Sequence, residues 1–331
     1  MAERVLVTGG SGVVGGAAAR ALRAAGAEVV SLQRGALPPD LAELGVLEVR
    51  GDVTNAAAVA QAMQGVDAVI HAAARVDITG AWSDFERINV GGTRTVVAAA
   101  QGAGVSRCVF VSSPSVAHVG HAIVGAGAEP ANPDNARGHY ARSKAMAEEV
   151  ALAADRPGFA VTSIRPHLVW GVGDTQLTAR IIERARSGRL VTIGSGAALI
   201  DTTYIDNVGE ALAAAVDRAA DDDVHGRAFV VSNGEPRTVA EMLTRIARAA
   251  GEGGPSRSVP LPVARAGGRV LEEVWQRTGR EGEPPVTAFL AEQLATAHWF
   301  DQRQTRRALG WTPRISLEEG FGLLGASLAG Q

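Results

Sequence analysis

The sequence places a tyrosine and a lysine at a spacing that suits proton transfer. The chain holds 32 basic residues, and counting along it gives 31 arginines and a single lysine, Lys144. Lys144 lies four residues after Tyr140, one of two tyrosines, and residues four apart face the same way on a helix. A compact ammonium group fits a tight site where a guanidinium does not. The pair predicts a phenol that exchanges a proton beside a fixed positive charge; a chance pairing is the alternative.

Hydroxyl groups follow an apolar run that we expect to be a strand. Ser112 and Ser113 come directly after residues 107–111. Hydroxyls at the carboxyl edge of a parallel strand lie in the crevice where such folds bind ligands. We expect Tyr140 to be the general acid or base, Lys144 to favour its phenolate, and Ser113 to polarise the reacting oxygen. Ser115 is the alternative for this last role.

A glycine-rich segment near the N-terminus predicts a dinucleotide site. Gly9, Gly12 and Gly15 have G-x-x-G-x-x-G spacing between a predicted strand and a predicted helix. Glycines here let the backbone turn tightly and approach a pyrophosphate, which then lies at the helix N-terminus. A purely structural turn is the alternative. The predicted cofactor loop also includes Ser11, Val13 and Val14.

The end of the second predicted strand indicates which dinucleotide is bound. NAD sites usually place an acid there for the ribose hydroxyls, whereas an arginine accommodates the 2′-phosphate of NADP. Here the acid position is Gln33, and Arg34 follows it. This favours NADP(H) over NAD(H), unless Arg34 is merely one more exposed arginine.

Two further strand ends are candidates for cofactor contacts. Asp52 and Val53 follow the third strand, where an aspartate can accept a hydrogen bond from an adenine amino group; a helix N-cap is the alternative. After the fourth strand, Ala72 and Ala73 are small enough to let a cofactor pass close to the backbone. We interpret His71, just before them, as a packed side chain rather than a proton shuttle.

The elements that must position these residues alternate between strand and helix. Apolar runs predict strands at 4–8, 28–32, 46–50, 67–71, 107–112 and 160–165, with helices between them at 13–25, 55–64, 91–103 and 139–154. Continuous apolar strands that alternate with helices indicate a parallel sheet covered on both faces. The predicted fold class is α/β, with a Rossmann-like doubly wound parallel sheet and a smaller C-terminal substrate-binding lobe.

The chain divides near residue 165. We expect residues 1–165 to form an NADP(H)-binding domain, with some return of 200–232 to its sheet, and residues 166–331 to form mainly the substrate-binding lobe. Later strands are predicted at 190–193 and 228–231, and helices at 177–187, 206–218 and 239–250. The Gly/Pro-rich stretch 251–262 is predicted to be a loop.

Composition excludes several classes of function. A net charge of −3 gives no basic footprint for nucleic acid. A single cysteine, Cys108, allows no internal disulfide and suits a reducing compartment. No 18-residue apolar run or signal peptide is evident, and so we expect no membrane span and a cytoplasmic protein. No metal site is expected.

Taken together, the motifs resemble the extended short-chain dehydrogenase/reductase superfamily, also described as the NAD-dependent epimerase/dehydratase family. The resemblance covers nearly the whole chain. It rests on the segments 8–15, 52–53, 71–73, 89–93, 112–113, 140–144, 165–171, 201–207 and 309–313. It implies that Tyr140 is the catalytic acid/base, that Lys144 also holds the nicotinamide ribose, that Ser113 is the third catalytic member, and that Pro166 and Leu168 lie near the nicotinamide.

Departures from the pattern favour one branch. The segment 113–118 lacks the Val-Tyr-Gly of sugar epimerases, and the Asp-Glu pair of sugar dehydratases is missing. Segments 33–35, 112–116, 165–171 and 201–207 instead resemble the 3β-hydroxysteroid dehydrogenase-like branch, most closely its 2-alkyl-3-oxoalkanoate reductases. Val172, where that pattern usually has proline, and the unusual Gly138 and His139 before the tyrosine depart from it.

The resemblance implies an NADP(H)-dependent oxidoreductase that interconverts a small apolar ketone and its alcohol, most closely the reduction of a 2-alkyl-3-oxoalkanoic acid. The alternatives are a 3β-hydroxysteroid-type dehydrogenase, a nucleotide-sugar epimerase, and a non-catalytic NADP-binding sensor. We expect the substrate pocket to be formed by 75–90, 117–138, 167–200 and 255–300. A homodimer through the helices at 91–103 and 139–154 is the habit of the superfamily. Five aromatics could line the pocket or simply pack in the core: Trp82, Phe85, Trp275, Phe289 and Trp299.

Overall fold

A computed structural model describes residues 3–77, 80–118, 120–278 and 287–330. The strands are β1 (Arg4–Thr8), β2 (Glu28–Gln33), β3 (Leu47–Arg50), β4 (Ala68–His71), β5 (Arg107–Val111), β6 (Ile123–Ala126), β7 (Ala160–Pro166), β8 (Val169–Trp170), β9 (Val191–Ile193), β10 (Leu199–Ile200), β11 (Thr203–Tyr204), β12 (Ala228–Val231), β13 (Arg237–Thr238), β14 (Arg257–Val259) and β15 (His298–Phe300).

The helices follow the same chain order. They are α1 (Val13–Ala24), α2 (Pro39–Glu43), α3 (Ala56–Ala62), α4 (Trp82–Phe85), α5 (Gly92–Gly102), α6 (Gly138–Leu152), α7 (Leu177–Arg186), α8 (Ile205–Arg218), α9 (Val239–Ala249), α10 (Leu261–Thr278), α11 (Ala288–Ala295), α12 (Arg303–Leu309) and α13 (Leu317–Ala329). A π-helical turn, Glu86–Gly91, leads into α5, and a 3₁₀ turn, Pro114–Ala117, follows β5. None of the helices in the described ranges is long and apolar enough to cross a bilayer.

The main sheet has the order β3-β2-β1-β4-β5-β7-β12 among the described residues, and each neighbouring pair is parallel. The order reverses direction at β1, which lies between β2 and β4. The predicted fold class is therefore confirmed. The last strand, β12, comes from residues after position 200 and pairs with β7 at the sheet edge.

Side chains of the central strand pack into two separate cores. Val5 and Val7 belong to a core that includes Leu212 of α8, whereas Leu6 belongs to a core that includes Val96 of α5. Successive side chains of a strand point to opposite faces, and so β1 is buried on both sides. This is why its sequence reads as one apolar run rather than as an alternating pattern.

The rest of the chain builds a second, smaller layer. Strands β13, β10, β15 and β6 form a mixed sheet, and a third core gathers Trp170, Tyr204 and Phe321. The stretch 251–262, predicted as a loop, in fact contains β14, which pairs with β9, and the start of α10. Its Pro262 lies in the first turn of that helix, where a missing N–H costs nothing.

Candidate active site

One large cavity opens at the carboxyl ends of the parallel strands. Its volume is about 850 Å³, within the usual range for ligand sites. The structure brings every predicted site residue to its wall: Gly9, Ser11, Gly12, Val13, Val14, Gly15, Gln33, Arg34, Asp52, Val53, Ala72, Ala73, Ser112, Ser113, Tyr140, Lys144, Pro166 and Leu168.

The glycine-rich turn leaves backbone N–H groups open toward this cavity. Gly12 precedes α1 without any side-chain cap, and the first turn of α1 holds no acidic residue. Gly9 has φ +77°, and a Cβ on Gly15 would lie 2.3 Å from the Gly9 carbonyl oxygen. Glycine is therefore required for this turn, and the uncapped helix N-terminus suits an anionic pyrophosphate.

One end of the cavity is lined by polar groups from β2 and from the residues after β3. Gln33 is buried; it accepts a hydrogen bond from Ser31, and its Nε2 has no protein partner. Burial alone would raise the pKa of Asp52. Hydrogen bonds from Thr54 and the charges of Arg34 and Arg87 outweigh burial and hold this pKa below its usual value. The charge of Arg34 therefore already acts on a carboxylate of the protein, which its place in the sequence does not reveal.

The His71 side chain has a structural role: it bonds to hydroxyl groups of β1 and α5. Its Nδ1 lies 2.7 Å from the Thr8 hydroxyl and its Nε2 lies 3.0 Å from the Thr93 hydroxyl. The Thr8 hydroxyl also accepts from the Ala73 backbone N–H. Burial, helped by the charge of Lys144, lowers the pKa of His71 to about 3. His71 is thus a neutral, packed side chain, as the sequence indicated.

Tyr140 and Lys144 project from the first turns of α6, but they are held differently. The Lys144 ammonium donates to the Val111 carbonyl at 2.5 Å and lies 4.1 Å from the centre of the Phe110 ring. Burial lowers its pKa to about 7, and Glu148 opposes that shift. Burial raises the pKa of Tyr140, and hydrogen bonding with Ser113 opposes that shift. The expected lowering of the phenol pKa by Lys144 is therefore not seen: burial raises this pKa, and the opposing influence comes from Ser113.

The two candidate hydroxyls lie side by side. Ser113 caps the 3₁₀ turn, and its Oγ accepts from the Ser115 hydroxyl at 2.9 Å. Ser113 lines the large cavity and interacts with Tyr140, whereas Ser115 stands behind it. The geometry thus favours Ser113 for contact with a reacting oxygen. Ser112 is also at the wall, and its buried Oγ has no protein partner.

A buried ion pair links α6 to β7. Glu148, one turn after Lys144, pairs with Arg165 at the end of β7 and accepts from the Ser163 hydroxyl at 2.9 Å. Both charged side chains are at most 2% exposed. In the sequence, Arg165 was identified only as part of a motif, and Glu148 was not identified. The i, i+4 spacing of Glu148 from Lys144 nevertheless indicates that the two side chains share a helix face.

Asn89 also holds α6 in place, through a hydrogen bond to Ser143. Its side-chain amide donates to the Arg75 carbonyl and to the Ser143 hydroxyl, and its carbonyl oxygen accepts from the Arg75 N–H. Asn89 lies in the π-helical turn, where the backbone bulges before α5. It is buried and fully bonded, and so it fixes the loop after β4 against α6.

Leu168 lies at the wall of the large cavity and has an unusual backbone conformation. Its φ of 43° makes it the one non-glycine residue with positive φ in the described ranges. Such a conformation costs about 1–3 kcal/mol and persists where surrounding structure enforces it, often at ligand sites. Pro166 and Leu168 also border a second, smaller cavity, which shares Ser113 with the first.

The predicted pocket segments contribute, but the predicted aromatics do not. Val76, Ile88 and Leu177 line the large cavity, and His118 and Phe300 line the small one. In the part of the chain that the structure describes, none of the five aromatics named above borders either cavity. Trp82 and Phe85 instead pack on His139, and Trp299 packs on Gly125.

The chain is similar to known proteins over most of its length. Residues 6–263 match the model of the 3-beta hydroxysteroid dehydrogenase/isomerase family. The chain is 40% identical, over 98% of its length and 99% of the relative's, to the 2-alkyl-3-oxoalkanoate reductase of Stenotrophomonas maltophilia. It is 31% identical to the 3-beta-hydroxysteroid dehydrogenase of Mycolicibacterium neoaurum, over 96% of this chain and 88% of that one.

A solved structure, MoeE5 in complex with UDP-glucuronic acid and NAD, superposes with a TM-score of 0.72 at 24% identity and covers 99% of both chains. That likeness concerns the fold. The match of the family model and the two relatives together show that this chain is an NAD(P)-dependent oxidoreductase that belongs to the 3-beta hydroxysteroid dehydrogenase/isomerase family, within the extended short-chain dehydrogenase/reductase superfamily.

Proposed function

We propose that this protein is an NADP(H)-dependent ketoreductase that reduces a 2-alkyl-3-oxoalkanoic acid to its 3-hydroxy acid. The observation that carries the proposal is that Ser113, Tyr140 and Lys144 line the same cavity as the glycine-rich turn. A proton-transfer group and a dinucleotide cradle that share one cavity suit hydride transfer to a carbonyl. The relative at 40% identity supports the class of substrate.

The residues fit a bound dinucleotide, which supplies the hydride when it is present. The uncapped N-terminus of α1 would hold the pyrophosphate, and Lys144, deep in the cavity, would hold the nicotinamide ribose. Ala72 and Ala73 leave the strand end open to it. In this position the ribose hydroxyls would compete with the Val111 carbonyl for the Lys144 ammonium.

Tyr140 delivers the proton in the reducing direction. Because burial raises its pKa, the phenol is protonated near neutral pH and can donate to the carbonyl oxygen of the substrate as the carbon receives hydride. The Ser113 hydroxyl donates to the same oxygen and polarises the carbonyl. Once the proton has left, the nearby Lys144 stabilises the phenolate until it is reprotonated.

The preference for NADP(H) rests on Gln33 and Arg34 in place of an acid. Arg34 is exposed at the cavity wall, where a guanidinium can pair with a 2′-phosphate in bidentate geometry. The charge of Arg34 also acts on the Asp52 carboxylate, which weakens its attraction for a 2′-phosphate and so limits this preference. Steady-state kinetics with both cofactors tests it: a tenfold preference for NADH would refute NADP(H) specificity.

The proposed activity is tested by NADPH oxidation against a panel of 2-alkyl-3-oxoalkanoic acids, ketosteroids and UDP-sugars. We expect the branched keto acids to give the highest kcat/KM. Higher turnover of ketosteroids would assign the steroid alternative. Interconversion of UDP-sugars without net NADPH consumption would assign an epimerase, and cofactor binding without turnover of any class would assign a sensor.

A further inference from the structure

Three histidines from distant parts of the chain meet beside the catalytic hydroxyl. His118 follows the 3₁₀ turn, His167 follows β7, and His298 begins β15. The His298 ring lies 5.1 Å from the His118 ring and 6.2 Å from the His167 ring, measured between centroids. Together with Ser113 they line the smaller cavity, of about 80 Å³.

Two of these imidazoles carry a buried Nδ1 atom without a protein partner, although the His167 ring also has a hydrogen bond with the Asp201 backbone. His118 is 5% exposed and His167 is 7% exposed, and the Nδ1 atom of each lacks a hydrogen-bond partner. A buried polar atom without a partner has lost its hydration without compensation, and so such atoms call for an explanation. His298 differs, since its Nε2 lies 3.1 Å from the Thr296 hydroxyl.

Burial keeps all three rings neutral in the free protein. It lowers the pKa of His167 to about 3, that of His298 to about 4, and that of His118 as well. A neutral imidazole offers one N–H donor. Among the described residues, no group of three or more His, Cys, Asp or Glu side chains is placed to hold a metal ion. The unpartnered Nδ1 atoms of His118 and His167 are the positions from which the cluster can present an N–H to a ligand.

We propose that this three-histidine cavity binds the carboxylate of the substrate. The inference rests on the proposed function, because a 3-oxo acid carries its carboxylate two bonds from the carbon that is reduced. With Ser113 on the ketone oxygen, the carboxylate must lie within a few ångströms of that serine, and the small cavity shares Ser113, Pro166 and Leu168 with the large one. Its volume leaves room for a carboxylate.

The charges around the cluster are compatible with an anion. Arg137 and His121 act on His118 in the same sense as burial, and Glu292 opposes them. Glu292 is itself paired with both Arg137 and Arg265. The two guanidinium groups thus offset the charge of Glu292. Asp201, a second acid whose backbone N–H donates to the His298 carbonyl, accepts from the Ser232 hydroxyl and the Gly234 N–H.

The test compares an acid with its methyl ester. Because 3-oxo acids lose carbon dioxide, the assay runs in the oxidising direction with NADP⁺ and a 2-alkyl-3-hydroxyalkanoic acid. We expect wild-type kcat/KM to favour the acid by roughly tenfold or more, since neutralising the carboxylate leaves the buried donors unpaired. His118→Phe and His167→Phe should each lower kcat/KM for the acid far more than for the ester, and so reduce that preference. His167→Phe keeps the ring that packs edge-on against Phe300.

Three controls separate recognition from structure. His118→Asn and His167→Asn retain a side-chain N–H close to the position of Nδ1 and should restore part of the preference. His225→Gln should leave it unchanged, because His225 lies before the amino end of β12, whereas this cavity lies beyond the carboxyl ends of β5 and β7. Calorimetric binding of acid and ester to Tyr140→Phe loaded with NADP⁺ measures recognition without turnover.

The outcomes distinguish the two proposals. Equal use of acid and ester by the wild type, or a parallel loss of both in the Phe variants, would overturn the carboxylate subsite while leaving the ketoreductase intact. Absence of turnover together with histidine-dependent binding of the acid would keep the subsite and overturn the proposed function. Absence of both turnover and binding would overturn both.

Discussion

At the residue scale, the two tyrosines of the chain offer a matched comparison. Tyr140 lines the large cavity, whereas Tyr204 is buried against Trp170 with ring centres 5.3 Å apart. We expect Tyr140→Phe to lower kcat by roughly 10²–10⁴-fold, the usual contribution of a general acid, with little change in NADPH affinity. Tyr204→Phe should keep most of the activity. Wild-type turnover in Tyr140→Phe would disprove the mechanism.

The lone lysine permits a second test in which charge is conserved. Lys144→Arg keeps the positive charge, but its forked head cannot occupy the position over the Phe110 ring without displacing the Val111 contact. We expect a fall in kcat/KM of about 10²-fold, as misplacement of reacting groups commonly produces. The reverse exchange on the exposed face of the same helix, Arg142→Lys, is the control and should be neutral. Full activity of Lys144→Arg would show that only the charge matters.

At the element scale, His71 ties β1, β4 and α5 together through Thr8 and Thr93. Its pKa in the folded protein, about 3, lies below its unfolded value near 6.5, so the unfolded state binds more protons between these pH values. Stability therefore rises with pH across this window and is lost as pH falls. From pH 7 to pH 5 the loss from this residue amounts to about 2 kcal/mol.

Urea denaturation at pH 7 and pH 5 measures this effect. The free energy of unfolding should fall between the two pH values, and it should fall less in His71→Gln, whose amide can still bond to one of the two threonines. A pH dependence identical in the two proteins would mean that His71 does not govern the acid stability of the strand ends.

How far each element could be predicted depends on how its residues signal their environment. Strands of the main sheet are buried on both faces, and so their continuous apolar runs located β1 to β5 and β7 to within a residue or two. Strands β10 and β13 have two residues each and are paired with distant segments, and so no local pattern marks them. His118 and His298 were missed for the same reason, because 180 residues separate them in the chain.

At the scale of the whole molecule, the large cavity is walled by both layers. Gly9 and Ser112 directly follow strands β1 and β5 of the main sheet, whereas Asp174 and Leu177 come after β8. A cofactor bound there should stabilise the folded chain by about 2.7 kcal/mol at 100 times its Kd. Thermal denaturation should show a larger shift with NADPH than with NADH. A larger shift with NADH would argue against the cofactor preference.

At the scale of the whole molecule we also predict that the chain forms a homodimer. Helices α5 and α6 pack side by side over one face of the main sheet, and we expect two copies to meet through them. Light scattering after size exclusion should then give twice the 34.1 kDa of one chain. A mass of one chain at micromolar concentration would refute the homodimer.

Because Lys144 has no counterpart elsewhere in the sequence, it is also a spectroscopic probe that needs no engineering. Protein made with lysine isotopically labelled at its terminal carbon gives one side-chain resonance by NMR, and that signal arises from the catalytic site. Its chemical shift against pH would report the ionisation of the amine directly, with a midpoint near the pKa of about 7 in the free protein. The same signal, recorded with NADP⁺, would show whether the ribose displaces the Val111 carbonyl as its partner.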